Sequence, residues 1–263
     1  MAAQGLATRS RQLVRRALCL LVLPAWLLAG CASPPADRAF VPAAPAATAV
    51  KKPLKIGLAL GGGAARGFAH VGVIAVLEEA GLRPQLVVGT SAGSLVAGRL
   101  IENMSIPLGI VATDLNSGQA VLFQRGDTGT AVRASSAVPA VFVPVVVNGH
   151  EYVDGGLVSP VPVRFARQMG AELVIAVDIS SPPEGNPSDG TLQILLQTFA
   201  IMGKSINQYE LKDAEIVVRP SLAGLKSADF SARQRAIDSG RAAMLAALPA
   251  LKARLASGVA LAH

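Results

Sequence analysis

Ser91 sits in the pentapeptide Gly89-Thr90-Ser91-Ala92-Gly93. A serine hydroxyl becomes an acyl-transfer nucleophile only when a base removes its proton and the side chain projects clear of the backbone. The Gly-x-Ser-x-Gly arrangement gives that projection on a sharp strand-to-helix turn. Its glycines remove the Cβ atoms that would collide where strand and helix approach. The apolar run Leu86-Val87-Val88 precedes the turn, and a helical pattern begins near Ala92. The chemistry to expect is hydrolysis through an acyl-serine.

Such a reaction also needs donors for the oxyanion. Gly61, Gly62 and Gly63 follow a buried strand and precede a helix, so successive backbone N–H groups can converge at the positive end of that helix. A dinucleotide-binding loop would require an acidic residue at the end of the next strand, where Val88 stands. A P-loop would require Gly-Lys-Ser/Thr, which is absent. The base is less obvious. Only His70, His150 and His263 are present, and a hydrolase triad in the order Ser, acid, His is poorly served by two that precede any suitable acid and one at the last position. His70 reads as a packing residue and His150 as a surface one. A carboxylate can replace the histidine, and Asp154, at the end of a hairpin strand and followed by Gly155 and Gly156, is the best placed. Asp114 and Asp178 near strand ends read as caps, Asp127 as a turn residue, and Glu78, Glu79 and Glu102 as solvated.

The elements that must hold these residues alternate. Strands are expected over 54–60, 86–88, 108–112, 173–177 and 216–218, with a short β unit at 121–123. A hairpin is expected at 145–153 around Asn148-Gly149, a favoured type I′ pair. Helices are expected over 68–79, from about Ala92, and over 131–138, 162–169, 191–211 and 231–255, the last broken near Pro249. The pattern predicts an α/β fold of three layers, with a mostly parallel central sheet covered by helices on both faces.

Residues 1–30 have the three parts of a secretory signal: a basic region to Arg16, an apolar run over 17–28, and small residues at Ala29 and Gly30. About 20 apolar residues are needed to span a bilayer, so this run is too short for a durable span. Leu28-Ala29-Gly30-Cys31 resembles a bacterial lipobox, which implies cleavage before Cys31 and its lipidation. Cys19 lies inside the apolar run, so the processed chain would hold no internal disulfide. Residues 31–53 form an Ala- and Pro-rich tether, and residues 54–263 the domain. By the same resemblance, Ala32 after the cysteine points to the outer membrane, facing the periplasm. Arg9, Arg11, Arg15 and Arg16 supply four of the seven net positive charges, and aromatics are only 4 %. Neither figure favours a nucleic-acid partner.

Taken in order, Gly61-Gly62-Gly63-Ala64-Ala65-Arg66-Gly67, Gly89-Thr90-Ser91-Ala92-Gly93 and Asp154-Gly155-Gly156 resemble the three signatures of the patatin-like phospholipases. Ala134-Ser135-Ser136-Ala137-Val138-Pro139 resembles a stretch found before that family's aspartate. The resemblance implies lipid acyl hydrolysis by a Ser91–Asp154 dyad, with Gly61 to Gly63 lining the oxyanion hole. It implies no metal, no cofactor and no histidine. Arg66 matches a basic loop position, and Gly67, Gly89, Gly93, Gly155 and Gly156 support the motifs. Two features depart from the family. Ala64 stands where a glycine is usual, and only residues 94–105 separate the Ser91 turn from the next strand, where relatives carry further helices. A catalytically degenerate lipoprotein that binds lipid or a protein partner is therefore the alternative, and a His-dependent esterase is a third reading.

Overall fold

The five residues of the first strand, Ile56–Leu60, are all buried and face two different cores. Ile56, Leu58 and Leu60 enter one core, and Ala59 enters the other. A strand apolar on both faces belongs in the middle of a covered parallel sheet. The computed structural model describes residues 53–95, 101–184, 189–226 and 228–258. The expected signal segment 1–30, Cys31 with nearly all of the tether, and His263 lie outside the described residues.

Among the described residues, eight strands alternate with five α-helices. In chain order they are β1 (Ile56–Leu60), α1 (Phe68–Glu79), β2 (Leu86–Thr90), β3 (Leu108–Asp114), β4 (Ala120–Phe123), α2 (Thr128–Ser135), β5 (Val145–Val147) and β6 (His150–Asp154). They continue with α3 (Val163–Gln168), β7 (Leu173–Val177), α4 (Thr191–Glu210), β8 (Ile216–Val218) and α5 (Arg233–Ser257). The sheet runs β5-β6-β3-β2-β1-β7-β8, with β4 also paired to β3. Strands β1, β2, β3, β7 and β8 are parallel, and β4, β5 and β6 are antiparallel additions. Residues of α1 and α5 (Val73, Val76, Leu77, Met244, Leu251) pack with the first core. On the other face, Val163, Phe165 and Ala166 of α3 pack on Ala59, Leu86, Val88, Val174 and Ala176. This is the three-layer, mostly parallel arrangement that the sequence predicts.

One pairing positions the site. Thr113 of β3 is bridged on one edge by Ala120 of β4 and on the other by Val153 of β6. Val111 is likewise bridged by Leu122 of β4 and by Thr90 of β2. Strands β2 and β6 therefore share one edge of β3 and meet end to end there. The ascending β2 stops at Thr90, opposite Val111, and the descending β6 stops at Asp154, opposite Ala112.

Three helices differ from expectation, of which α2, capped by Asp127, lies three residues earlier than the 131–138 expected. The first residues past the nucleophile, Ser91–Ser94, form a 3-10 turn where the expected helix would begin, and residues 96–100, the rest of its expected start, lie outside the described residues. The Ser94 hydroxyl donates to Ser91 O at 2.6 Å, a local bond that competes with helical continuation. Conversely, α5 runs unbroken through Pro249. Proline deprives the carbonyl four residues back of its partner. That residue is Leu245, itself 51 % exposed, so water can take the bond. Pro249→Ala is expected to stabilise the domain by about 2 kcal/mol, the helix gain of about 3 less the entropy returned to the unfolded chain. A urea titration checks this through an increased midpoint with unchanged slope.

Candidate active site

The head-on meeting of β2 and β6 puts Ser91, the first residue past Thr90, at the level of Ala112, where Asp154 ends its strand. Ser91 adopts φ 52°, the left-handed conformation that costs a non-glycine residue about 1–2 kcal/mol. Tight packing holds it there. The Ser91 N–H donates to Ser135 Oγ at 2.8 Å, and that hydroxyl donates to Val111 O at 2.5 Å. A Cβ at Gly89 would lie 2.1 Å from Gly93 O, and one at Gly93 would lie 2.1 Å from Leu60 O. These glycines serve close approach, and the elbow fits no other residue there. Gly67 serves in the same way, since its Cβ would come 2.8 Å from that of Ala92.

Asp154 is 8 % exposed, and burial pushes its carboxyl up to about 6. Two donors partly offset that burial: the Gly156 N–H, at 2.7 Å from Oδ1, and the Ser91 hydroxyl. Its own N–H donates to Ala137 O at 3.0 Å. Gly155 allows the sharp exit, because a Cβ there would lie 2.2 Å from Val111 O and 3.2 Å from Thr90 Cγ2. A carboxyl poised near neutrality, with a serine hydroxyl directed at it, suits a general base.

The glycine loop corrects one expectation. The N–H groups of Gly61 and Gly62 donate to Val177 O and Pro160 O, both at 3.0 Å. Those two donors anchor the loop to the ends of neighbouring segments and are not free to meet an oxyanion. Gly62 nonetheless abuts the nucleophile, its would-be Cβ lying 3.2 Å from that of Ser91. The donors left at the loop's tip are those of Gly63 and Ala64. Ala64 is itself left-handed, at φ 51°, so the missing glycine has a cost. Ala64→Gly is expected to stabilise the domain by about 0.5–1 kcal/mol after the entropy of the added glycine is subtracted, readable by thermal or chemical denaturation.

Arg66 is buried. Its Nε donates to Gly63 O at 3.2 Å and its Nη1 to Ser181 Oγ. Burial lowers its pKa, and the nearby Asp178 carboxylate acts against that. The side chain fastens the tip of the loop to the segment after β7. His70, expected to be a packing residue, is fully buried and held down to about 4 by that burial. Its Nε2 lies 2.9 Å from Gly61 O. A carbonyl can only accept, so Nε2 carries the proton and the ring is neutral.

Sequence reasoning missed Ser135 as the brace of the Ser91 turn, although its motif was noticed. It also missed a buried polar chain behind the nucleophile. Thr90 Oγ1 donates to Ser159 O at 2.9 Å, and Ser159 Oγ reaches both oxygens of Glu210 at 2.9 and 2.8 Å. Burial raises Glu210 to about 7 against the pull of Ser159 and Arg164. His150 is exposed and pairs with Asp114 at 3.0 Å. Asp114 accepts the N–H groups of Asn116 and Ser117, and Asp127 caps α2 through Thr130 N–H at 2.7 Å. Asp178 accepts from Ser180 N–H and from Arg219. Among the described residues, no group of three or more His, Cys, Asp or Glu side chains is placed to hold a metal ion.

Comparison with known proteins bears on the same residues. The family model described as patatin-like phospholipase matches residues 58–114 and 112–167, which contain all three motifs. An uncharacterized NTE family protein of Mycobacterium tuberculosis is 33 % identical over 186 residues, covering 51 % of this chain and 52 % of that protein. Patatin-like phospholipase domain-containing protein 6 of Homo sapiens is 28 % identical over 229 residues, covering 65 % of this chain and 16 % of that one. Lysophospholipase NTE1 of Mycosarcoma maydis is 31 % identical over 189 residues, covering 51 % and 10 %. The chain thus spans about half the length of the mycobacterial relative. An alignment of 186 positions that occupies 51 % of these 263 residues also leaves positions of that relative with no counterpart here. On the matched motifs and these relatives, the chain belongs to the patatin-like phospholipase family.

Proposed function

We propose that this protein is a serine lipid acyl hydrolase of the phospholipase A or esterase type, working through a Ser91–Asp154 dyad. The observation that carries the reading is the meeting of β2 and β6 on one edge of β3, which brings a left-handed serine to a buried carboxyl raised to about 6. In the first step, Asp154 takes the Ser91 proton as Oγ bonds to the ester carbonyl carbon. The oxygen that becomes negative is met by the N–H groups of Gly63 and Ala64. Collapse of the tetrahedral intermediate breaks the ester C–O bond, and Asp154 returns its proton to the departing alcohol. Water, deprotonated by Asp154, then attacks the acyl-serine, the acyl–Oγ bond breaks, and Asp154 returns the proton to Ser91 Oγ as the fatty acid leaves. No metal or cofactor enters any step.

In the same proposal, the chain is exported and lipidated at Cys31, and the Ala/Pro-rich segment holds the domain at the bacterial envelope, on the periplasmic face of the outer membrane. Loss of radiolabelled palmitate incorporation in Cys31→Ser checks that part. For the catalytic part, hydrolysis of phospholipid vesicles by Ser91→Ala is expected to fall to the uncatalysed level, and full retention would overturn the reading. The positions that relatives carry and this chain lacks favour the alternative of a lipid- or partner-binding protein without turnover. A wild-type protein inactive on phospholipid, lysophospholipid and short esters would select it.

A further inference from the structure

Helix α4 is 20 residues long, yet its buried positions are confined to Gly203, Asn207 and Glu210 in its C-terminal half. There it meets the domain. Gly203 abuts Pro160, the residue whose carbonyl holds the Gly62 N–H, and Asn207 Nδ2 donates to Ser180 Oγ just past the end of β7. The segment after β7 continues along the helix. Pro183 O accepts from Gln197 Nε2 at 2.7 Å, ten residues above Asn207, or about 15 Å farther along the axis. The first three turns, 191–202, therefore project from the carboxyl edge of the parallel strands, the edge that carries Ser91 and the glycine loop.

Those turns are unusual in composition. From Thr191 to Gly203 there is no charged side chain, and the first charge is Lys204. Leu192, Ile194, Leu196, Ile201 and Met202 are each between 39 % and 54 % exposed. They lie on several sides of the helix and do not form one stripe. An exposed cluster of large apolar side chains on an uncharged helical segment marks an interaction surface. A second exposed apolar run lies next to the site: Val141, Phe142 and Val143, a few residues beyond Ala137, whose carbonyl holds the Asp154 N–H. No described helix is long and apolar enough to cross a membrane, so the element would enter a bilayer without spanning it.

We propose that the first three turns of α4 dock the domain on a lipid bilayer by inserting into its interfacial layer, with the Ser91 edge facing the membrane. This rests on the lipid acyl hydrolase reading of the same site. A bilayer seated on α4 presents acyl esters to the edge where Ser91 and Asp154 meet, whereas a second protein copy seated there would close that edge to them. Thr191, Gln193 and Thr198 supply polar groups suited to the head-group layer, and with no charge in the segment its binding would scale with the apolar area that it buries.

Vesicle partitioning without turnover tests the proposal. The full chain carrying Cys31→Ser and Ser91→Ala separates docking from acylation and from hydrolysis, and is mixed with phosphatidylcholine vesicles. The same chain with Ile194→Glu and Ile201→Glu added is expected to bind at least tenfold less. The apolar run 17–28 is common to both proteins, so the difference reports α4. A third protein, with Ile194→Trp and Trp26→Phe, is expected to shift its emission to the blue when vesicles are added. Equal partitioning of the first two proteins, or an unshifted emission, overturns the proposal. So does a two-chain species in vesicle-free buffer that the glutamates dissolve, since it would place a second copy on α4. Because no step reads turnover, failure here leaves the Ser91 assignment standing, and loss of that assignment leaves the partitioning result intact.

Discussion

Asp154→Asn is expected to lower kcat/KM for ester hydrolysis by about 10³-fold, within the usual range for loss of a general base, while making the folded domain more stable at neutral pH. Both effects come from one burial. The carboxyl is raised from 3.8 to about 6 chiefly by desolvation, so the folded state holds its proton more tightly than the unfolded chain. Stability is then lost as pH rises from about 4 through 6, and above that window the buried charge costs of the order of 2–3 kcal/mol. The amide avoids that cost, keeps an oxygen for the Gly156 N–H, and cannot accept a proton from Ser91. Denaturation of both proteins at pH 7 and at pH 3.5 checks the sign, because the difference should vanish at the lower pH. The wild-type rate should also rise about tenfold per pH unit up to about 6 and then level off, following ionisation of Asp154. A variant that is inactive but no more stable at pH 7 would mean that the carboxyl is not ionised against its surroundings.

Gly93→Ala is expected to cost about 3 kcal/mol or more in stability and about 10²-fold in activity. Its Cβ would sit 2.1 Å from Leu60 O and 2.8 Å from Leu60 Cβ. Neither the end of β1 nor the Ser91 turn can yield alone, since β1 is hydrogen-bonded to β2 and β7 along its length. Overpacking of a well-filled site typically costs 1–3 kcal/mol, and a backbone obstacle belongs at the top of that range. Displacing the turn by about 1 Å would move Oγ away from Asp154, enough to account for the loss of rate. Gly129→Ala is the matched control. It lies in α2 with only Asp127 Oδ1 at 3.5 Å, and should be neutral or stabilising by about 0.5–1 kcal/mol. Equal effects at both positions would indicate a general intolerance of side chains and no specific contact at the elbow.

These two residues show why much of the site could be read from the sequence. Ser91 and Asp154 are flagged by flanking glycines whose spacing encodes backbone approach, and the Asn148-Gly149 turn registers the hairpin that delivers Asp154. What escaped the sequence depends on partners far along the chain. Gly61 and Gly62 are ruled out as oxyanion donors by the carbonyls of Val177 and Pro160, about a hundred residues away, which no local pattern announces. Ser135 braces Ser91 N–H from a helix 44 positions later. The turn at Ser91–Ser94 is 3-10 and not α-helical, with Ser94 bonding back to the Ser91 carbonyl. Helix α5 survived Pro249 because that side of the helix is wet. In each case periodicity named the element, and a specific hydrogen bond or its replacement by water decided where the element ends.

The central claim is that Ser91 is an activated nucleophile, and reaction with a fluorophosphonate tests it without knowledge of the substrate, since only an activated serine reacts quickly. Mass-spectrometric mapping of the labelled protein should place one phosphonyl group on Ser91, with none on Ser91→Ala and labelling slowed at least a hundredfold in Asp154→Asn. Labelling on another residue, no labelling of the folded protein, or an unchanged rate in Asp154→Asn would contradict it.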